Sequence, residues 1–126
     1  MRRMLVAAGW AWASAIVWLS LTPSPPELEL AHGDKLGHLA AYGLLMFWFA
    51  QLHAARASRV AHASAFVAMG VALEFAQGAL GYRNYDIADM YANTLGVGLG
   101  WVLGAMLPPL LPRAGAQSRA GGSPRL

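Results

Sequence analysis

The chain has 126 residues, of which 57% are hydrophobic and 12% charged, with nine Lys or Arg, six Asp or Glu and a formal net charge of +3. Soluble domains carry about 25% charged residues, so this composition argues against a soluble fold, and the length allows one compact unit rather than two. The absence of cysteine excludes disulfides, thiolate metal ligands and cysteine nucleophiles, and basic residues scattered over the termini and one short connection suit an anionic membrane leaflet better than nucleic acid.

A helix needs about 20 mostly apolar residues to cross a bilayer core. The first such run extends from Met4 to about Thr22 and stops at Pro23-Ser24-Pro25-Pro26, a strong helix terminator. Arg2 and Arg3 ahead of an apolar stretch also fit a signal peptide. However, Ala13-Ser14-Ala15 lies inside the stretch and no cleavage pattern follows Leu21, so the run reads as a retained helix. The second run goes from Leu36 to about Ala54 and the third from Val60 to about Gly81. The fourth goes from Met90 to about Leu111, where Pro108, Pro109 and Pro112 break it. Residues 1–112 are therefore expected to form one four-helix unit. Residues 113–126, rich in Gly, Ser, Arg and Pro, are expected to be a disordered tail.

The charges sort by connection. Arg2, Arg3, Arg56, Arg59, Arg113, Arg119 and Arg125 fall at the termini and between runs two and three. Glu27, Glu29, Asp34, Asp86 and Asp89 fall in the other two connections. Lys/Arg-rich connections stay cytoplasmic, which predicts an all-α membrane protein, a four-helix transmembrane bundle with N- and C-termini cytoplasmic. Lys35 and Arg83 are then the basic residues left on the outward side. Trp10, Trp12, Trp48 and Trp101 lie well inside the runs and are expected to pack rather than anchor the interface. His32, His53 and His62 lie at or near helix ends and read as solvated.

Ionisable side chains in membrane helices usually face the bundle interior and mark a site. Asp34, His38 and Tyr42 are spaced four apart with Lys35 one step round, which places them on one helical face. Glu74 and Gln77 share a face of the third helix, and Asp86, Asp89 and Asn93 share one of the fourth. All three groups belong at the outward ends of their helices, where a short bundle brings them into one polar pocket. Each residue also has a structural reading. Asp86 suits the N-cap of the fourth helix, with Asp89 in its first turn. Lys35 can snorkel to the interface, while His38, Tyr42 and Asn93 can be interhelical hydrogen-bonding groups. Glu74 can belong to a structural ion pair.

Gly96, Gly100 and Gly104 form a stripe of small residues that lets helices approach closely. It is expected to pack the fourth helix against the second and third; a homodimer contact is the alternative use.

The ordered set Asp34-Lys35-x-x-His38-x-x-x-Tyr42, Glu74-x-x-Gln77 and Arg83-x-x-Asp86-x-x-Asp89-x-x-x-Asn93-x-x-Gly96-x-x-x-Gly100 resembles the VanZ-like family of small bacterial membrane proteins. Leu19-Ser20-Leu21-Thr22-Pro23 at the end of the first helix is similar too. The resemblance implies a multi-pass helical protein of the bacterial cytoplasmic (inner) membrane. The family's name-giving member is associated with low-level teicoplanin resistance, so the resemblance also implies a link to glycopeptide resistance. It carries no defined reaction.

Three functions remain open on the residues alone. The pocket can bind an amphiphile or a lipid-linked cell-wall component, with Lys35 and Arg83 meeting phosphate or carboxylate and Glu74, Asp86 and Asp89 orienting polar groups. It can be the site of a membrane-embedded enzyme with His38 as acid or base beside Glu74 or Asp89. It can be an ion-pair network that fixes helix register in a partner-binding protein. The expected partners are membrane lipid, the lipid-linked component and a second copy of the chain. No HExxH-like motif is present, and no cofactor or metal is expected.

Overall fold

A computed structural model describes residues 1–22, 33–81 and 86–111, with the backbone alone for Gly33 and Asp34. The expected tail at 113–126, the Pro-rich connection, His32, Arg83 and the Asp34 side chain lie outside the described residues. Four helices follow in order: α1 (Arg2–Leu21), α2 (Gly33–Leu52), α3 (Arg56–Leu80) and α4 (Ile87–Met106). No strand occurs among the described residues. At about 1.5 Å per residue a 20-residue helix such as α2 is about 30 Å long, which matches a hydrocarbon core.

The ends follow local chemistry. α3 stops at Gly81, whose φ of 74° is the left-handed cap conformation and whose N–H reaches Gly78 O. α4 begins at Asp86, whose side chain accepts from the Ala88 N–H. It ends at Met106, with Leu107 as its cap, ahead of Pro108 and Pro109.

α2 is the central helix and packs on all three others, while α1 makes no contact with α4 among the described residues. The core is built on Tyr42, Leu45, Met46, Phe49 and Ala50 of α2, with Ala13 and Ile16 of α1, Phe66 of α3 and Val97 of α4. The glycine stripe sits against α2. A Cβ at Gly96 would overlap Leu39 O, one at Gly100 would overlap Gly43 O, and one at Gly104 would lie 2.6 Å from Ala50 Cβ. The stripe thus sets the α2/α4 separation, and on α3 it is Gly70 that gives room to Asn93 and Tyr42.

Large apolar side chains cover the exterior, while several polar ones are buried among the apolar core residues. Leu36, Leu44, Phe75, Leu95, Val102, Leu103 and Met106 are exposed, whereas Gln51, Glu74, Gln77, Asp89 and Asn93 are buried. Apolar exteriors around satisfied polar interiors are what a lipid solvent selects. α1 and α3 are long and apolar enough to cross a membrane. α2 and α4 reach the same length as α1 but carry Lys35 and His38, and Asp89, Asn93 and four glycines, respectively, which lowers their apolarity.

Two expectations need correction. Trp10 and Trp12 pack only along one side and are otherwise exposed, each still finding partners: the Trp10 ring lies 5.1 Å from that of Phe49, and Trp12 Nε1 donates to Ala41 O at 3.1 Å. His53 and His62 are not simply solvated. Their rings lie 4.7 Å apart, and His62 stacks on Phe49 at 4.7 Å, because the short α2–α3 connection folds both histidines back over the aromatic core.

Candidate functional site

The polar side chains of α2, α3 and α4 meet at one end of the bundle. Lys35, in the first turn of α2, donates from Nζ to Asp86 Oδ2 at 2.9 Å and to Asp89 Oδ1 at 3.0 Å. The three side chains differ in exposure, at 32% for Lys35, 44% for Asp86 and 4% for Asp89. The contact with Asp89 therefore sits in a much lower dielectric than the contact with Asp86, and a buried carboxylate requires such a partner.

Glu74 of α3 lies behind this pair and is 2% exposed. Its Oε1 accepts from the Asp86 backbone N–H at 2.6 Å. At a helix start that N–H is commonly taken by the carboxyl three residues on, here Asp89. Glu74 assumes that task from a neighbouring helix, and Asp89 is turned to Lys35 instead. Asp86 thus has two roles: Oδ1 caps α4 through Ala88 N–H at 2.9 Å while Oδ2 holds Lys35.

One turn further along α2, His38 Nδ1 lies 3.0 Å from Asn93 Oδ1, which places the hydrogen on Nδ1. Its Nε2 faces Asp89 Oδ2 at 3.9 Å. Tyr42 is buried one turn deeper, beside Gly70 and Asn93. Gln77 is turned the other way, with Nε2 donating to Ser20 O at 2.7 Å. It closes one of the carbonyls that the end of α1 leaves without a helical partner.

The sequence-based set therefore separates. Lys35, His38, Glu74, Asp86, Asp89 and Asn93 form one connected cluster, Tyr42 forms its floor, and Gln77 ties α3 to α1. Lys35 engages the two α4 aspartates, and Glu74 takes a backbone N–H. Among the described residues no group of three His, Asp or Glu is arranged to hold a metal ion. Sequence reasoning missed Gly43 and Gly70, which admit α4 and Asn93 to the cluster, although the facing glycines of α2 and α4 offered a signal. It also missed Gln51, which binds Gly104 O and Leu110 N–H at the opposite end.

Beside the cluster, an apolar groove of about 510 Å³ runs between α3 and α4. Val67, Thr94, Val97 and Trp101 line it. It begins one residue from Asn93 and follows α4 away from the cluster for about 10 Å, at 1.5 Å per residue.

The profile of the VanZ/LLP1 family matches residues 3–108. An uncharacterised protein of Schizosaccharomyces pombe, C11E3.10, is 33% identical over 81 residues, which is 62% of this chain and 50% of that protein. The match thus spans half the length of that relative. No solved structure matches. The chain belongs to the VanZ/LLP1 family.

Proposed function

From that membership and the geometry of the cluster, we propose that the protein crosses a bacterial cytoplasmic membrane four times, with both termini inside. The cluster then opens outward as a binding site for the polar head of a lipid-linked or amphiphilic envelope component. The exposed large apolar side chains support the spanning, and the arginines at the opposite end support the orientation. The observation that carries the binding reading is the partly exposed Lys35–Asp86 contact at the end of the bundle, with an apolar groove between α3 and α4 whose near end, at Thr94, lies about 12 Å further along α4. A polar head and an apolar tail each find a surface of their own kind.

Asp86→Asn is the informative variant, since Asn still caps a helix and keeps the backbone N–H for Glu74, while the charge that meets Lys35 is removed. The experiment is to count by mass spectrometry the amphiphile retained on mild-detergent extraction. Retention by the wild type and loss in folded D86N support the proposal. Equal retention by both, or none above bulk lipid, identifies the cluster as a structural network. The proposal extends to the implied glycopeptide link: expression raises the teicoplanin concentration a host tolerates, and D86N removes the increase.

A further inference from the structure

At the end of the bundle that bears the α2–α3 connection, a contact between α1 and α2 fixes a protonation state. Arg2 Nη2 lies 3.3 Å from His53 Nε2. A guanidinium only donates, so Nε2 is the acceptor. The ring hydrogen then sits on Nδ1, which donates to Phe49 O at 3.1 Å. Both bonds are made by one tautomer of the neutral ring. The imidazolium donates at both nitrogens; it keeps the Phe49 bond but turns a hydrogen and a like charge on Arg2.

The elements round the ring oppose that charge. α1 contributes Arg2, whose neighbour Arg3 is exposed. α3 contributes Arg59, which donates from Nε and Nη2 to Ala50 O at 3.1 and 2.9 Å. It also contributes His62, whose ring lies 4.7 Å from that of His53 and whose Nδ1 is 2.7 Å from Ser58 O. α4 has no ionisable residue from Ala92 to Met106. Burial first, then His62, Arg2 and Arg59, hold the His53 pKa below 6.5, against the Phe49 bond, which raises it.

The element this contact holds is the start of α1. The buried residues of α1 are Gly9, Ala13 and Ile16, so residues 2–8 bury none of its packing surface. A Cβ at Gly9 would lie 2.7 Å from Phe49 Cζ and 2.9 Å from Trp48 Cδ1, which shows close docking from that residue onward. Ahead of it, Trp48 Nε1 donates to Leu5 O at 2.8 Å, and Arg2 reaches His53 in the outermost turn.

We propose that Arg2 and His53 form a proton-operated latch: protonation of His53 frees the first two turns of α1 from α2, with Gly9 as the hinge. The latch is closed above pH 6.5 and opens as pH falls from 6.5 towards the folded-state value. It is independent of the Lys35 cluster, which lies at the other end of α2.

The full chain is placed in phosphatidylcholine nanodiscs, and amide hydrogen exchange is followed by mass spectrometry between pH 8 and 5, corrected for the intrinsic pH dependence of exchange. The expected result is loss of protection over residues 2–8 below pH 6.5, with residues 13–21 unchanged. His53→Gln stays neutral and can still accept from Arg2, so the loss should vanish. Arg2→Gln should abolish it too, because a Gln carbonyl accepts from the imidazolium. Protection of residues 2–8 that does not change with pH in the wild type, or an equal loss over residues 13–21, overturns the latch. Should H53Q lack protection over residues 2–8 at every pH, R2Q decides. Disappearance of the pH-dependent loss in R2Q supports the latch, and its persistence there overturns it.

Discussion

Replacing Lys35 with Met removes the ammonium from between two carboxylates of unequal exposure, and the two contacts should respond differently. An exposed ion pair contributes about 0–1 kcal/mol, and Asp86 with nearly half its side chain exposed belongs in that class. Asp89 is almost fully buried, and removing one partner of a buried ion pair costs about 3–5 kcal/mol. K35M is therefore expected to destabilise by about 3 kcal/mol, near the lower bound because Lys35 itself is one-third exposed. The asymmetry is tested by adding Asn at each aspartate. K35M/D89N should recover most of the loss, because position 89 no longer carries a buried charge, whereas K35M/D86N should recover less than about 1 kcal/mol. The assay is reversible unfolding in mixed micelles, read as a double-mutant cycle. Equal recovery by D86N and D89N, or a K35M cost below about 1 kcal/mol, would refute the reasoning.

Gly100→Val should separate α2 from α4 and destabilise by at least the ~1–3 kcal/mol of overpacking, whereas Gly98→Ala, which meets nothing within 4 Å, should be neutral or slightly stabilising in the same unfolding assay. Gln51→Leu leaves Gly104 O and Leu110 N–H without their side-chain partner and should cost about 1–3 kcal/mol, read by earlier proteolysis after α4. The lowered pKa of His53 means that the unfolded chain takes up the proton first as pH falls. Its contribution to stability is therefore intact above the ordinary value of 6.5 and is lost as pH drops from 6.5 towards the folded-state value. A His53→Gln variant should flatten that limb of the stability-against-pH curve, and an unchanged limb would assign it to other groups.

The parts of this fold legible in the sequence are those with a strong one-dimensional signal. Pro23 falls where the first apolar run ends and α1 stops at Leu21 accordingly, whereas α4 stops at Met106, ahead of Pro108 and short of the end at about Leu111 expected for the fourth run. The spacing of Lys35 and His38, and of Asp86, Asp89 and Asn93, placed these side chains on matching faces, and they meet in the folded chain. What the spacing could not fix was partnership between helices. Glu74 has a carboxyl suited to Lys35, yet it takes the Asp86 N–H, because that choice depends on how far α3 slides along α4. Gln77 has the same face as Glu74 by periodicity, but the passage of α1 beside α3 gives it Ser20 O instead. His53 and His62 looked solvated because nothing local reveals that Phe49 and Phe66 gather them into one stack.

The central claim is that the Lys35 cluster and the arginines at the α2–α3 connection lie on opposite sides of one membrane. The chain contains no cysteine, so single cysteines can be introduced at Ser24, Ala55 and Gly81 and probed with a membrane-impermeant maleimide. The account predicts labelling of the Ser24 and Gly81 positions in intact cells and of the Ala55 position only after permeabilisation. Labelling of Ala55→Cys from outside, or protection of Gly81→Cys, would contradict it.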